Sequence, residues 1–257
     1  MKPSTIIIGI GELASVFARG FLKTGYPVIP VRRQDDMQQI AAEISAPALV
    51  LLAVGEQDFD SSLQQLPENW QNNLVLLQNE LLPSSWKSHG VSDPTVISVW
   101  FEKKPAQDYK VVVSSPVYGP CSSIIKEALS ALNIPVNELS SKADLLFELI
   151  RKNLYILTTN ICGLESGGSV SELWQNNAVL MNRVFDDVLQ IQQALSGVNF
   201  NRDHLLNAVL SAFEGDPQHA CMGRSAAQRL QRALQTADRF ELEVPELKRI
   251  AQLSLQS

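Results

Sequence analysis

An α/β chain, with a parallel-sheet N-terminal half and an all-helical C-terminal half, is the fold class that the sequence predicts. Three observations point to it. A strand, a glycine turn, a helix and a second strand follow one another within residues 5–33. Short continuous apolar runs at 48–54 and 74–77 alternate with helical stretches, as in a parallel sheet covered on both faces. From Ser141 onward the periodicity is helical throughout. The expected domains are residues 1–140 and 141–257, with no Gly/Ser-rich linker between them.

The opening segment is the most specific. Ile6-Ile7-Ile8 reads as a strand that goes straight into Gly9-Ile10-Gly11-Glu12-Leu13-Ala14. Gly9 permits the tight turn, and Gly11 lets the backbone approach a pyrophosphate with no Cβ in the way. Ala14 stands in the third glycine's place and still allows close packing of helix on strand. Glu12 and Leu13 open the helix, whose free N–H groups and positive dipole end would face the phosphates. This is the Rossmann dinucleotide fingerprint in its proper context. The bland alternative is a glycine turn that only joins two elements.

The second strand, Val28-Ile29-Pro30-Val31, ends on Arg32-Arg33, where an NAD site usually carries an acid. A guanidinium there can pair bidentately with a 2′-phosphate, so NADP(H) is favoured over NAD(H). The alternative is that both arginines are solvated surface charge. Asp35 and Asp36 read as the start of the next helix.

The remaining elements follow in order. Leu13, Val16, Phe17, Gly20 and Phe21 share one face of the first helix, and Gly25 is its stop signal. A short helix at 37–44 and strands at 48–54 and 74–77 come next, the last ending at Gln78-Asn79. Residues 96–101 and 109–113, joined by a polar stretch, read as two adjacent antiparallel strands. A helix at 122–132 and an extended segment at 134–136 close this half, Pro135 restricting the latter to an edge. Ser141-Lys142-Ala143-Asp144 resembles a capping box. Helices are expected near 142–162, 171–196, 202–214, 225–240 and 245–255, with breaks at Gly215-Asp216-Pro217 and near Pro245.

Composition narrows the function classes. The 257 residues are 45% hydrophobic and 19% charged, with a formal net charge of −6 and no basic tract. Nucleic acid and anionic membrane surfaces are therefore not expected partners. No apolar run approaches a membrane span. Lys2 before the isoleucine run invites a signal-peptide reading, but Gly9, Gly11 and Glu12 interrupt the run at once, so it reads as a strand. Cys121, Cys162 and Cys221 are widely spaced and odd in number, which fits a reducing cytoplasm.

Candidate chemistry lies on the first long helix of the second half. Lys152, Ile156 and Asn160 form an i, i+4 stripe. A lysine among Leu149, Ile150, Leu154 and Ile156, if buried, would have a lowered pKa and could donate a proton to a carbonyl. The alternative is a snorkelling side chain with its ammonium in water. Arg224 could clamp a substrate carboxylate, or cap a helix or pair with a surface acid. His219-Ala220-Cys221 lacks third and fourth ligands, so no metal is expected. Glu214 and Asp216 read as a turn.

The stretch from Phe147 to Asn160 resembles the catalytic helix of ketopantoate reductases, in the 6-phosphogluconate dehydrogenase C-terminal-like superfamily. The resemblance implies that Lys152 donates a proton to the substrate carbonyl. It also implies that Gly9, Gly11, Ala14, Arg32 and Arg33 form the NADP site, and that Asn79, in Gln78-Asn79-Glu80, lies near the nicotinamide. Pro116-Val117-Tyr118-Gly119-Pro120 falls where that family has a glycine-containing turn, and Val244-Pro245 matches a late valine–proline. Three departures stand out. Gly55-Glu56-Gln57 occupies the place of a cofactor-touching lysine, Ile156 replaces a polar position, and residues 222–227 contain no acid. Ketopantoate itself is thus expected to be a poor substrate. The expected activity is NADPH-dependent reduction of a small carbonyl compound resembling a 2-oxo acid. Hydride would come from the nicotinamide and the proton from Lys152, with Asn79 and Asn160 orienting cofactor and substrate. A non-catalytic NADP(H)-binding sensor or scaffold, or an imine-type reductase, stand as alternatives, and a homodimer is compatible with all three.

Overall fold

Thr5–Ile8 forms β1, second from one edge of a seven-stranded sheet, in a computed structural model that describes residues 2–254. The other strands are β2 (Val28–Val31), β3 (Leu49–Leu52), β4 (Leu74–Leu76), β5 (Thr95–Ile97), β8 (Ser115–Tyr118) and β9 (Val136–Glu138). Their order is β2-β1-β3-β4-β5-β8-β9, with every pair parallel except β5 with β8. Ile7, Leu49, Leu51, Val75, Ile97 and Val117 pack into one buried cluster with residues of α1 (Glu12–Lys23) and α5 (Ser122–Ser130). Their strand neighbours Ile6, Ile8, Val50, Leu52, Leu74, Leu76 and Val96 point the other way and are equally buried. Burial on both faces is why these strands read as unbroken apolar runs. The chain runs from β1 to one side and returns to β3 on the other. The switch point therefore lies at the C-terminal ends of β1 and β3, where Gly9 and Ala53 follow them.

Three expectations need correction here. The run at 96–101 is not one strand. β5 stops at Ile97, and the chain leaves the sheet at Ser98, the Trp100 N–H donating to Ser115 Oγ at 2.9 Å. β6 (Phe101–Lys103) and β7 (Tyr109–Val111) then pair antiparallel in a separate two-stranded sheet. The second correction is β8 itself, since no strand was expected at Ser115–Tyr118, where the resemblance placed the start of a glycine-containing turn and where Pro116 lacks a donor. With Ile97 opposite Val117, Pro116 faces Ser98 just past the end of β5. Its missing donor therefore removes a bond only at the margin of the ladder, and its carbonyl still accepts from Ser98 N–H at 2.9 Å. Third, the helix expected at 171–196 is two helices, α7 (Val170–Asn176) and α8 (Ala178–Ser196), broken where Asn177 takes φ −130° and ψ 31°.

Chain contacts divide the protein into Met1–Leu149 and Ile150–Ser257. The division falls inside α6 (Lys142–Ser166), and Ser141 caps that helix by accepting from Asp144 N–H at 3.1 Å. The expected boundary at 140/141 marks where α6 begins. The second unit continues with α9 (Arg202–Gly215), α10 (Ala226–Arg239) and α11 (Pro245–Ser254), and the expected end at residue 255 lies outside the described residues. α8 packs against α7, α10 and α11. No strand lies between 145 and 210 among the described residues.

A buried acid fixes α11. Asp187 of α8, 4% exposed, accepts from the N–H groups of Glu246 and Leu247 at 2.8 and 3.0 Å. It thereby acts as a tertiary N-cap for a helix that begins with Pro245. Desolvation raises its pKa, with the two backbone donors pulling the other way. Asp187→Ala leaves both donors without an acceptor and should cost roughly 2–4 kcal/mol, while Asp187→Asn, which keeps an acceptor, should cost less than half of that. Urea denaturation of the two variants measures this, and equal losses would contradict the capping role.

Candidate functional site

In the first unit the glycine turn sits at the switch point. Gly9 has φ +96°, and a Cβ built on it would lie 2.6 Å from the Ala53 carbonyl oxygen at the end of β3. No other residue fits that turn without moving backbone. Gly11 is the opposite case: its added Cβ would meet nothing within 4 Å, so the space above it is open. Gly11 is also the N-cap of α1 and has no side-chain cap, leaving the first N–H groups of the helix, from Glu12 and Leu13 onward, without a side-chain acceptor. Ala14 is buried against the sheet, while Ile10 is 67% exposed beside the turn. Open space, uncapped donors and a tight turn together fit a dinucleotide diphosphate.

The arginines after β2 are both engaged. Arg32 makes a fork to Asp35, from Nε to Oδ2 at 3.1 Å and Nη2 to Oδ1 at 3.0 Å, and its N–H also reaches Oδ2. This pairing raises Arg32 and lowers Asp35 from their ordinary pKa values. Asp36, not Asp35, caps α2 (Met37–Glu43), accepting from Gln38 and Gln39 N–H. Arg33 reaches Asp58 at 2.6 Å with its side chain 84% exposed. At the end of β4, Asn79 is exposed, and Gln78 is spent on the fold, its Nε2 donating to Leu52 O at 2.7 Å. Glu12 carries a contact that local pattern did not signal: Lys103 of β6 approaches its carboxylate at 3.0 Å.

In the second unit α6 is the organising helix. Asn153 donates to Gln192 of α8 at 2.9 Å, Arg151 to the Ala208 carbonyl of α9 at 2.9 Å, and the Tyr155 ring meets Phe213 edge-on at 5.5 Å. Lys152 is half-buried by surface area, but desolvation of its ammonium, followed by the Arg151 and Arg229 charges, lowers its pKa to about 7. Ile156 is buried. Asn160 is held at both ends of its amide: Oδ1 accepts from Arg229 Nη1 at 2.8 Å, and Nδ2 donates to the Cys221 carbonyl at 3.1 Å. It ties α6, α10 and the loop before α10 together.

Arg229 and Asp216 were not among the residues singled out for chemistry. Both are buried, at 9% and 4% exposed, whereas Arg224 is exposed. Arg229 shares a face of α10 with Ala226, Leu230, Ala233 and Ala237, a buried stripe that helical spacing could have signalled. Asp216 was hidden in a Gly-Asp-Pro turn and lies 3.6 Å from His219 Nδ1.

Neither a protein-family model nor a curated protein matches the chain by sequence. Solved structures match in fold. A 2-dehydropantoate 2-reductase from Methylococcus capsulatus is 14% identical with a TM-score of 0.69, over 97% of this chain and 95% of that one. A dimeric ketopantoate reductase from Staphylococcus aureus is 14% identical with a TM-score of 0.65, over 98% of both chains. A D-mandelate dehydrogenase solved with NADH is 12% identical with a TM-score of 0.67, again over 98% of both. The chain has the ketopantoate-reductase-like fold over nearly all of its length.

The two glycines should respond differently to one added methyl group. Gly9→Ala meets a carbonyl at 2.6 Å in a left-handed conformation, so thermal and urea unfolding should show a loss of at least about 2 kcal/mol. Gly11→Ala should stay within about 1 kcal/mol, the scale of an N-cap change. Equal destabilisation would show that the turn is not braced as described.

Proposed function

We propose that this protein is a nicotinamide-dependent reductase of a small 2-oxo-acid-like carbonyl compound, with NADPH as its reductant. Lys152 is the observation that carries this reading. A lysine lowered to about 7 and flanked by Arg151 and Arg229 suits proton transfer at neutral pH. The fold shared with 2-dehydropantoate 2-reductases supports the same reading.

The residues divide the work. The uncapped start of α1 and the open face of Gly11 would hold the diphosphate. Arg33 is the better candidate for the 2′-phosphate, since an exposed pair with Asp58 is weak and readily exchanged. Arg32 is bound to Asp35 at three points and contributes less. A bound nicotinamide supplies the hydride. The Lys152 ammonium donates its proton to the carbonyl oxygen. Arg229, already fixed on Asn160, offers positive charge near Lys152 to a substrate carboxylate. The amide of Asn160 positions Arg229 in this scheme, and exposed Asn79 is left to orient the cofactor. Departures at Ile156 and residues 222–227 make ketopantoate itself a poor fit. A homodimer in the cytoplasm completes the proposal. One protein of this fold is described as dimeric, all three cysteines are free thiols, and no helix of the described residues is long and apolar enough to cross a membrane.

The test is NADPH and NADH oxidation over a panel of 2-oxo acids, repeated with ammonium to reveal an imine-type reductase. NADPH should be preferred at least tenfold, and Arg33→Ala should remove most of the preference, Arg32→Ala little. Tight NADPH binding without turnover on any compound would instead identify a sensor.

Lys152→Ala should lower turnover about 10²-fold with little change in cofactor affinity. In the native protein, kcat/KM should fall as pH rises through about 7, because the acid must be protonated to act. A flat profile from pH 6 to 9 would remove Lys152 from proton transfer.

A further inference from the structure

The Lys103–Glu12 pair joins the β6–β7 hairpin to the first residue of α1, beside the glycine turn. The hairpin is firmly seated. Phe101 lies 6.0 Å from Phe17, the Arg19 guanidinium covers the Tyr109 ring at 5.4 Å, and the Tyr109 hydroxyl donates to the Leu132 carbonyl. Phe101 and Lys103, two residues apart on the strand, stand beside Phe17 and Glu12, five residues apart on the helix. Those spacings are about 6.6 Å and 7.5 Å, so β6 climbs antiparallel to α1 and delivers Lys103 to its N-terminal end.

The ammonium is well placed and incompletely used. The Lys103 side chain is 17% exposed. It donates to Glu12 Oε2 at 3.0 Å and to the Lys104 carbonyl at 2.9 Å, and an ammonium has three protons to give. The third has no acceptor among the described residues. Glu12, meanwhile, puts a carboxylate at the positive end of a helix whose first N–H groups have no side-chain cap. That placement is favourable in the free protein and unfavourable once a second anion arrives at the same helix end.

We propose that Lys103 is a diphosphate-binding residue of the dinucleotide site, and that Glu12 holds its ammonium there while competing with the diphosphate for it. This rests on the reading of the glycine turn as a dinucleotide site. It predicts opposite effects for the two partners. Removing the lysine removes an attraction for the cofactor, and removing the glutamate charge removes a repulsion and frees the lysine. A salt bridge that only fastened the hairpin would give effects of one sign.

Calorimetric titration of the native protein, Lys103→Met, Lys103→Arg and Glu12→Gln with NADPH, ADP and adenosine 2′-monophosphate tests this, with circular dichroism to confirm folding. Lys103→Met should weaken NADPH and ADP about tenfold or more, and Lys103→Arg should stay within about threefold of native. Glu12→Gln should tighten both about threefold. Adenosine 2′-monophosphate has no diphosphate and should change less than about twofold throughout. If Lys103→Met does not fold, the tightening by Glu12→Gln and the retention by Lys103→Arg still decide the matter. Native binding of NADPH with both substitutions shifting affinity in the same direction, or by less than about twofold, would overturn the role of Lys103 and leave the dinucleotide site standing. A native protein that binds neither NADPH nor ADP would overturn both.

Discussion

Close approach of backbone around α1 is the constraint on which the first unit depends. A Cβ on Gly9 would strike the Ala53 carbonyl at 2.6 Å, and one on Gly20 would strike the Ala128 carbonyl of α5 at the same distance. The helix can therefore lie tight against its neighbours only because both contact points lack a side chain. Phe17 and Phe21, both fully buried, fill the space beneath it. With α1 so fixed, its first turn points at open space above Gly11, and the β6–β7 hairpin has a rigid surface on which to seat. The turn's geometry thus follows from packing, and its chemistry from the donors that this packing leaves uncapped.

The second unit is held by polar ties among buried groups. Asn153 and Gln192 link α6 to α8, Asn160 and Arg229 link α6 to α10, and Asp187 caps α11 from α8. Each tie satisfies groups that would be costly to bury alone, and each fixes a register that apolar contacts leave free to slide. Lys152 gains its unusual acidity from this arrangement. Desolvation does most of it, and the guanidiniums of Arg151 and Arg229, themselves held by Ala208 and Asn160, do the rest. A lysine on an isolated helix would keep its ordinary affinity for a proton.

Charge pairing at the first unit's surface is more provisional by comparison. Arg33 with Asp58 and Lys103 with Glu12 join residues far apart in the chain at points that remain partly open to solvent. The Arg33–Asp58 pair, exposed on both sides, is worth little in stability, whereas Lys103 is mostly covered and only Glu12 is well exposed. Both pairs keep an open side toward solvent, which is what distinguishes them from Asp187 and Asn160 in the second unit.

The sequence by itself determined the fold class and the local geometry that depends on local rules. Gly9 and Gly11 impose their turn through backbone sterics, doubly buried strands need unbroken apolar runs, and amphipathic periodicity marks the helices of the second half. Lys152 stands out in the sequence because a lysine interrupts an apolar stretch. Only the tertiary structure decided features that depend on a distant partner. Pro116 lies within a strand because β5 ends opposite it, and the 96–101 run divides because Trp100 finds Ser115. Arg32 is taken by Asp35, Asn160 by Arg229 and the Cys221 carbonyl, and Glu12 by a lysine 91 residues away. A side chain's neighbours along the chain fix its secondary structure, but a polar group's partner is set by which elements meet. Local pattern carries no record of that.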